Sequence, residues 1–218
     1  MRYNTILLDL DGTLMDSGEG IMKSAQYALK KMGVIVEDWH SLRFFVGPPL
    51  EDSFKDFYGF DNNMANLAVI AYRERYFDKG VLEQKPYNGT LNFLKALKEK
   101  GLNLCLATSK MQKQSRFALD NFGLAPYINN VFARDDEGLL HTKADVINDG
   151  LEKLGITNRK EVLMVGDRKF DINGAKECGI DSAGVLYGYG DLKELQEADA
   201  TYICKNFDDI INVIDKSN

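Results

Sequence analysis

Hydrophobic positions change their spacing twice along the chain. Residues 3–10 form a short apolar stretch centred on Ile6-Leu7-Leu8 and ended by Asp-Gly, which predicts a buried strand. From about residue 17 to residue 80 the spacing turns helical and no strand signal stands out. Ile21, Met22, Ala25, Ala28, Leu29 and Met32 share one helix face, and Gly33 is a natural stop. Pro48-Pro49 opens a short helix, and Asp61 caps a longer one with Met64, Leu67, Ala68, Ala71 and Tyr72 facing inward. After Pro86, helices and apolar strands alternate. Helices are predicted at 90–100, 112–122, 143–154 and 171–177, with shorter ones from 191 and 206. Strands are predicted at 102–107, near 131–132, and at 161–165, 182–186 and 201–204. Gly101, Gly123, Gly155 and Gly179 punctuate the helix ends.

Strands that are apolar throughout, alternating with amphipathic helices, predict a parallel sheet covered on both faces. The expected fold is therefore α/β: a Rossmann-like, doubly wound parallel sheet built from residues 1–15 plus 86–218. A helical cap, residues 16–85, is inserted after the first strand. In open sheets of this kind ligands bind beyond the carboxyl ends of the strands, so an insertion leaving that edge is expected to act as a lid. Gly18, Gly20 and Gly80 are either hinge positions for such a lid or plain loop residues.

Composition narrows the class. The chain has 218 residues, 44% of them hydrophobic and 28% charged, an ordinary globular balance. Its apolar runs are only a few residues long, which predicts no membrane span. The opening run meets Asp9 too early for a signal peptide. The net charge of −6 offers no footprint for nucleic acid and requires a local positive centre if the substrate is an anion. Cys105, Cys178 and Cys204 are widely spaced and only His40 and His141 are present, so neither a disulfide scaffold nor a Cys/His zinc site is expected. Three buried, reduced thiols fit a cytoplasmic protein.

The predicted strand exits carry the chemistry. The first strand runs into Asp9-Leu10-Asp11-Gly12-Thr13, the 102–107 strand into Thr108-Ser109-Lys110, and the 161–165 strand into Gly166-Asp167, with Asp171 shortly after; Lys143 opens a helix. Each has a bland reading: a turn at Asp-Gly, a helix cap at Thr108, Ser109 or Asp171, a solvated Lys143. Their convergence on one sheet edge from separate segments favours a site. Carboxylates so close together cannot all ionise without compensation. A hard divalent cation supplies it, and Mg²⁺ suits carboxylate, water and phosphate oxygens.

These segments, DLDGTL (9–14), TSK (108–110), Lys143 and GDRKFD (166–171), resemble in kind and order the four motifs of the haloacid dehalogenase superfamily. Asp16-Ser17, GPPLEDSF (47–54) and GIDSAGVLYGYG (179–190) resemble its phosphoglycolate-phosphatase-like branch. The resemblance implies an aspartyl-phosphate mechanism. Asp9 would be the nucleophile and Asp11 the general acid and base. Gly12, Thr13, Thr108, Ser109 and Lys110 would lie around the phosphoryl group, with Thr108 and the Ser109 backbone holding its oxygens and Lys143 neutralising their charge. Mg²⁺ would be held by Asp9, the Asp11 carbonyl and Asp167, with Asp171 behind them or orienting Lys143. Within the cap, Arg43 with Gly47 and Pro48 forms a candidate substrate loop, where a cation would suit a second anionic group such as a carboxylate. Most of the cap aromatics should be its core. His141, two residues before Lys143, reads as a loop histidine within reach of substrate.

The implied function is a Mg²⁺-dependent phosphatase of small phosphorylated metabolites, with 2-phosphoglycolate the default substrate, working as a monomer or homodimer without nucleic acid or membrane. A 5'-nucleotidase, an inorganic pyrophosphatase and a β-phosphoglucomutase-like phosphomutase are the enzymatic alternatives. A phospho-ligand sensor is the non-enzymatic one, and an intact Asp11 argues against it, because a pure binder needs no acid–base group.

Overall fold

The computed structural model describes residues 2–135, 140 and 142–216. The chain forms two compact units, Met1–Met15 with Pro86–Asn218, and Asp16–Lys85. It crosses between them twice, each time in a two-residue strand, β2 (Met15–Asp16) and β3 (Lys85–Pro86).

The larger unit is built on a six-stranded sheet. Its strands are β1 (Thr5–Leu8), β4 (Asn103–Met111), β5 (Asn130–Arg134), β6 (Val162–Gly166), β7 (Asp181–Val185) and β8 (Tyr202–Cys204). Their spatial order is β5-β4-β1-β6-β7-β8 and every pairing is parallel. The chain thus lays down two strands outward from β1 on one side and then three on the other, the doubly wound arrangement. Side chains alternate between two cores. Ile6, Leu8, Leu104, Leu106, Leu163 and Val165 enter one, and Leu7, Cys105, Ala107, Val162 and Met164 the other. This two-sided burial explains why these strands read as unbroken apolar runs. The helices that cover them are α4 (Thr90–Glu99), α5 (Gln112–Asn121), α6 (Lys143–Lys153), α7 (Lys169–Glu177), α8 (Leu192–Glu197) and α9 (Phe207–Lys216). The register pairs Leu8 with Leu106 on one side and with Val165 on the other. The residues just beyond those three positions therefore emerge level with one another at the point where the strand order reverses.

Two boundaries differ from expectation. β4 continues past Ala107 to Met111, with a register shift against β5 between Thr108 and Met111, so 108–110 lie in an irregular strand end. α7 begins at Lys169, because the Asp171 carboxylate turns back to accept from the Arg168 N–H at 3.1 Å and closes the first turn.

The smaller unit is helical: α1 (Gly18–Lys31), a 3₁₀ segment Trp39–Phe45, α2 (Leu50–Tyr58), α3 (Asn62–Arg75) and a π-turn Tyr76–Gly80. Asp61 does cap α3, accepting from the Met64 N–H at 2.8 Å. The inward face of α3 matches expectation at Ala68, Ala71 and Tyr72 but not at Met64 and Leu67. Ala65, Ala68, Val69, Ala71 and Tyr72 are buried, whereas Met64 and Leu67 are exposed. Both faces of this helix carry apolar residues, so periodicity alone could not choose between them. Packing against α1 selects the alanine side, which lets two helices approach closely. Of the cap aromatics, Phe45, Phe54, Tyr72 and Tyr76 are core and Phe57 and Phe77 are exposed.

Gly18 and Gly20 are buried positions in the first turn of α1 rather than loop residues. Gly20 lies against the Gly80 backbone, and a Cβ on it would overlap the Gly80 carbonyl. Helix propensity alone favours alanine over glycine by about 1 kcal/mol. Overlap with a fixed carbonyl opposes that gain and outweighs it, since overpacking costs about 1–3 kcal/mol. Gly20→Ala is therefore expected to lower the melting temperature by a few degrees, as read by circular dichroism. A rise would show that the glycine contact is not a packing constraint.

Candidate active site

Asp9 sits one residue past β1, and its N–H still bonds the Val165 carbonyl at 2.9 Å, so the sheet ladder itself places it. The chain then turns back sharply. Gly12 donates to the Met15 carbonyl at 2.8 Å, and the N–H groups of Thr13, Leu14 and Met15 all bond the Leu10 carbonyl. Gly12 has φ +84°, a left-handed conformation that favours glycine. Leu10 is fully buried and pins the middle of the turn, leaving Asp9 and Asp11 on either side of an apolar anchor.

Lys143 reaches the same point from the first turn of α6. Its start is fixed by a capping box: Thr142 Oγ1 accepts from the Asp145 N–H at 3.1 Å and Asp145 accepts from the Thr142 N–H at 2.8 Å. Lys143 Nζ lies 2.6 Å from Asp9 Oδ1 and 2.7 Å from Asp171 Oδ1, and it donates to the Ala107 carbonyl at 3.0 Å. Gly174 on α7 leaves room for its stem, since a Cβ there would sit 2.9 Å from Lys143 Cγ. The ammonium is almost fully buried. Burial opposes its charge, but Asp171 and Asp9 outweigh that and raise its pKa above the usual lysine range.

Asp167 follows β6 and is fully buried. Its Oδ2 accepts from the Tyr189 N–H at 2.7 Å, and its Oδ1 has no hydrogen-bond partner. Asp9, Asp167 and Asp171 each present an oxygen, all within 4.8 Å of one another. Burial pushes Asp9 up to about 7 even though Lys143 pulls it down, and burial with the neighbouring Asp171 and Asp9 raises Asp167 well above its ordinary value. Fully ionised, three carboxylates and one ammonium would leave this buried group with two negative charges in excess. The donors are hard oxygens and one of them is buried without a hydrogen-bond partner, which fits a small divalent cation such as Mg²⁺.

Asp11 stands apart from that trio. Both of its oxygens face Lys110 Nζ, at 2.8 and 3.1 Å, and the ammonium is largely buried. Lys110, expected near the phosphoryl group, is thus placed against Asp11. Thr108 is buried beside it, and its hydroxyl accepts from the Lys110 N–H at 3.3 Å. Ser109 is half-buried, and the Thr13 hydroxyl is buried without a hydrogen-bond partner. Arg43 is an exposed residue of the 3₁₀ segment in the helical unit. His141 lies outside the described residues. The sequence reading missed the Thr142–Asp145 box, although T-x-x-D before a helix is a legible signal, and it missed the Tyr189 N–H, a backbone donor that no side chain announces.

The chain is similar to proteins of one known family. The family model of haloacid dehalogenase-like hydrolases matches residues 6–185. A 5'-nucleotidase of Pseudomonas aeruginosa is 37% identical over 204 residues, covering 94% of this chain and 92% of that protein. The pyrophosphatase PpaX of Halalkalibacterium halodurans is 29% identical and covers 98% of both chains. Among solved structures, one described as a predicted phosphatase from Clostridium acetobutylicum superposes with a TM-score of 0.96 at 42% identity, covering 99% of this chain and 100% of that one.

The raised carboxylates set a pH dependence with a definite sign. Between the unfolded aspartate value near 3.9 and the folded value of about 7 for Asp9, the folded state binds more protons. In that window the buried group loses stability as pH rises. In EDTA at pH 8, Asp167→Asn is therefore expected to melt several degrees above the wild type, because it removes a buried carboxylate whose ionisation burial, Asp171 and Asp9 all oppose. Mg²⁺ should raise the wild-type melting temperature more at pH 8 than at pH 5 and leave Asp167→Asn nearly unmoved. A variant that melts below the wild type in EDTA at pH 8 would refute this electrostatic reading.

Proposed function

The chain belongs to the haloacid dehalogenase-like hydrolase family, and from that premise we propose that it is a Mg²⁺-dependent phosphatase of small phosphate monoesters acting through Asp9. The observation that carries the reading is Lys143 held between Asp9 and Asp171 at 2.6 and 2.7 Å beside the unpaired Asp167 oxygen. That arrangement sets a nucleophilic carboxylate, an ammonium and a cation-binding pair at one point.

In the proposed reaction an Asp9 oxygen attacks phosphorus, the bond from phosphorus to the alcohol oxygen breaks, and an aspartyl-phosphate forms. Asp11 gives its proton to the departing oxygen. It then takes one from the water that hydrolyses the acyl-phosphate, so inorganic phosphate leaves and both carboxylates return to their starting state. Lys143 opposes the charge on the phosphoryl oxygens, and Thr108 with the Ser109 N–H donates to them. Asp9 and Asp167 with the Asp11 carbonyl, and with Asp171 behind them, would hold Mg²⁺, which would supply further neutralisation of that charge. The helical unit is read as carrying residues that select substrate, Arg43 among them. The protein is read as cytoplasmic and as working on a soluble metabolite. Among the described residues no helix is long and apolar enough to cross a membrane, and the three cysteines are buried free thiols, which is compatible with that reading.

For the substrate, 2-phosphoglycolate remains the reference compound of the motif resemblance. A second class, nucleoside 5'-monophosphates, is favoured by the 37% identical relative named a 5'-nucleotidase. Phosphate release from both, with pyrophosphate and hexose phosphates alongside, separates them by kcat/KM. Release is expected to require Mg²⁺, to stop in EDTA, and to fall at least 10³-fold in Asp9→Asn, as when a nucleophile is lost. Absence of release from every compound by folded, Mg²⁺-loaded protein would overturn the phosphatase reading.

A further inference from the structure

Four residues after β7, Tyr187-Gly188-Tyr189-Gly190, touch the site from a segment that carries none of its acid, base or phosphate-binding groups. The Tyr189 N–H occupies Asp167 Oδ2 at 2.7 Å. The Tyr187 hydroxyl donates to the Thr13 carbonyl at 3.1 Å, inside the turn that carries Asp11 and Gly12. Its ring is held by Tyr87, at 5.2 Å and edge-on, and by Phe207 at 5.0 Å. A Cβ on Gly188 would overlap both the Gly12 carbonyl and the Asp167 side chain, and one on Gly190 would overlap the Asp167 carbonyl. Neither glycine is among those with positive φ, so close approach, not backbone conformation, requires them.

We infer that residues 187–190 are a positioning loop that fixes the Asp167 carboxylate against the Gly12 turn, so that one oxygen is tied to backbone and the other is presented to the cation. The inference rests on the reading of Asp167 as a cation ligand. A carboxylate with two free oxygens can rotate. One whose Oδ2 is bonded to a backbone N–H is held in one orientation, with Oδ1 buried and left without a hydrogen-bond partner. The Tyr187 bond ties the same loop to the turn after Asp9, so the ligand after β6 and the chain after β1 are held in one register. The loop has no side chain of its own among the acids, which makes its role positional rather than catalytic. Partners that orient a metal ligand in this way typically change affinity 10- to 100-fold when disturbed.

The test is calorimetric titration of Mg²⁺ alone into wild type, Gly188→Ala and Tyr187→Phe. Gly188→Ala is expected to raise the Mg²⁺ Kd at least tenfold. Tyr187→Phe keeps the ring packing, removes one hydrogen bond, and is expected to raise Kd about fivefold. A folded Gly188→Ala with the wild-type Kd would overturn the inference. If Gly188→Ala does not fold, a wild-type Kd in Tyr187→Phe overturns it instead. A merely structural loop would lower the melting temperature in EDTA and leave Kd unchanged, which counts against it equally. Wild type that binds no Mg²⁺ also overturns it. Phosphate release by the same wild-type preparation is read separately. Protein that binds Mg²⁺ without releasing phosphate sinks the phosphatase, while the ratio of Kd values still decides the loop.

Discussion

Burying three carboxylates within 4.8 Å of one another is the constraint on which the rest of the larger unit depends. Each buried charge is expensive to remove from water, and the group tolerates it only through a specific set of neighbours. Lys143 bridges two of the three, and the Tyr189 N–H serves the third. Each of these partners comes from a different segment, and each must arrive to within a few tenths of an ångström. A parallel sheet meets that demand because its ladders set β1, β4 and β6 in one register. Asp9 is still inside that ladder, bonded to Val165, so the fold holds the attacking group of the proposed reaction as rigidly as a core residue.

The same constraint accounts for where small residues occur. Gly12, Gly166 and Gly174 stand where a Cβ would collide with Asp167, Asp171 and Lys143 respectively. Only Gly12 also needs a left-handed backbone. The others make space for charged side chains to converge inside a close-packed interior. Any substituent there pushes a charge away from its partner. It therefore combines a packing cost with an unpaired buried ion, and the two add in the same direction.

Much of this was legible before any coordinates, for a physical reason. Strands buried on both faces are continuous apolar runs, so their ends stand out, and polar residues that follow several such runs at one sheet edge favour a site although each alone could be a turn or a cap. Asp9, Thr108 and Asp167 were visible in that way, and Lys143 by its place at a helix start. What escaped lacks a local signature. The approach of Gly188 to Gly12 joins positions 176 residues apart and leaves no periodicity. The buried face of α3 was read only in part, at Ala68, Ala71 and Tyr72, because Met64 and Leu67 look as apolar as Ala65 and Val69. The pairing of Lys110 with Asp11 escaped because a lysine beside two hydroxyls at a strand exit reads equally well as a phosphate ligand.

That pairing bears on how two aspartates two residues apart can take different parts in the proposed reaction. Asp9 must stay an unprotonated nucleophile near the cation, and Asp11 must exchange a proton with the leaving group and then with water. If both carboxylates entered the cation group, Asp11 would be spent as a ligand and unable to carry a proton. The turn at Leu10 and the ion pair with Lys110 prevent that by drawing the Asp11 side chain to a separate, partly accessible position, with 13% of it exposed. Asp9 by contrast is inside, on Lys143. Two lysines thus sort two adjacent acids into two environments, one closed and fixed and the other open enough to meet water. The separation is a property of the chain's own ion pairs.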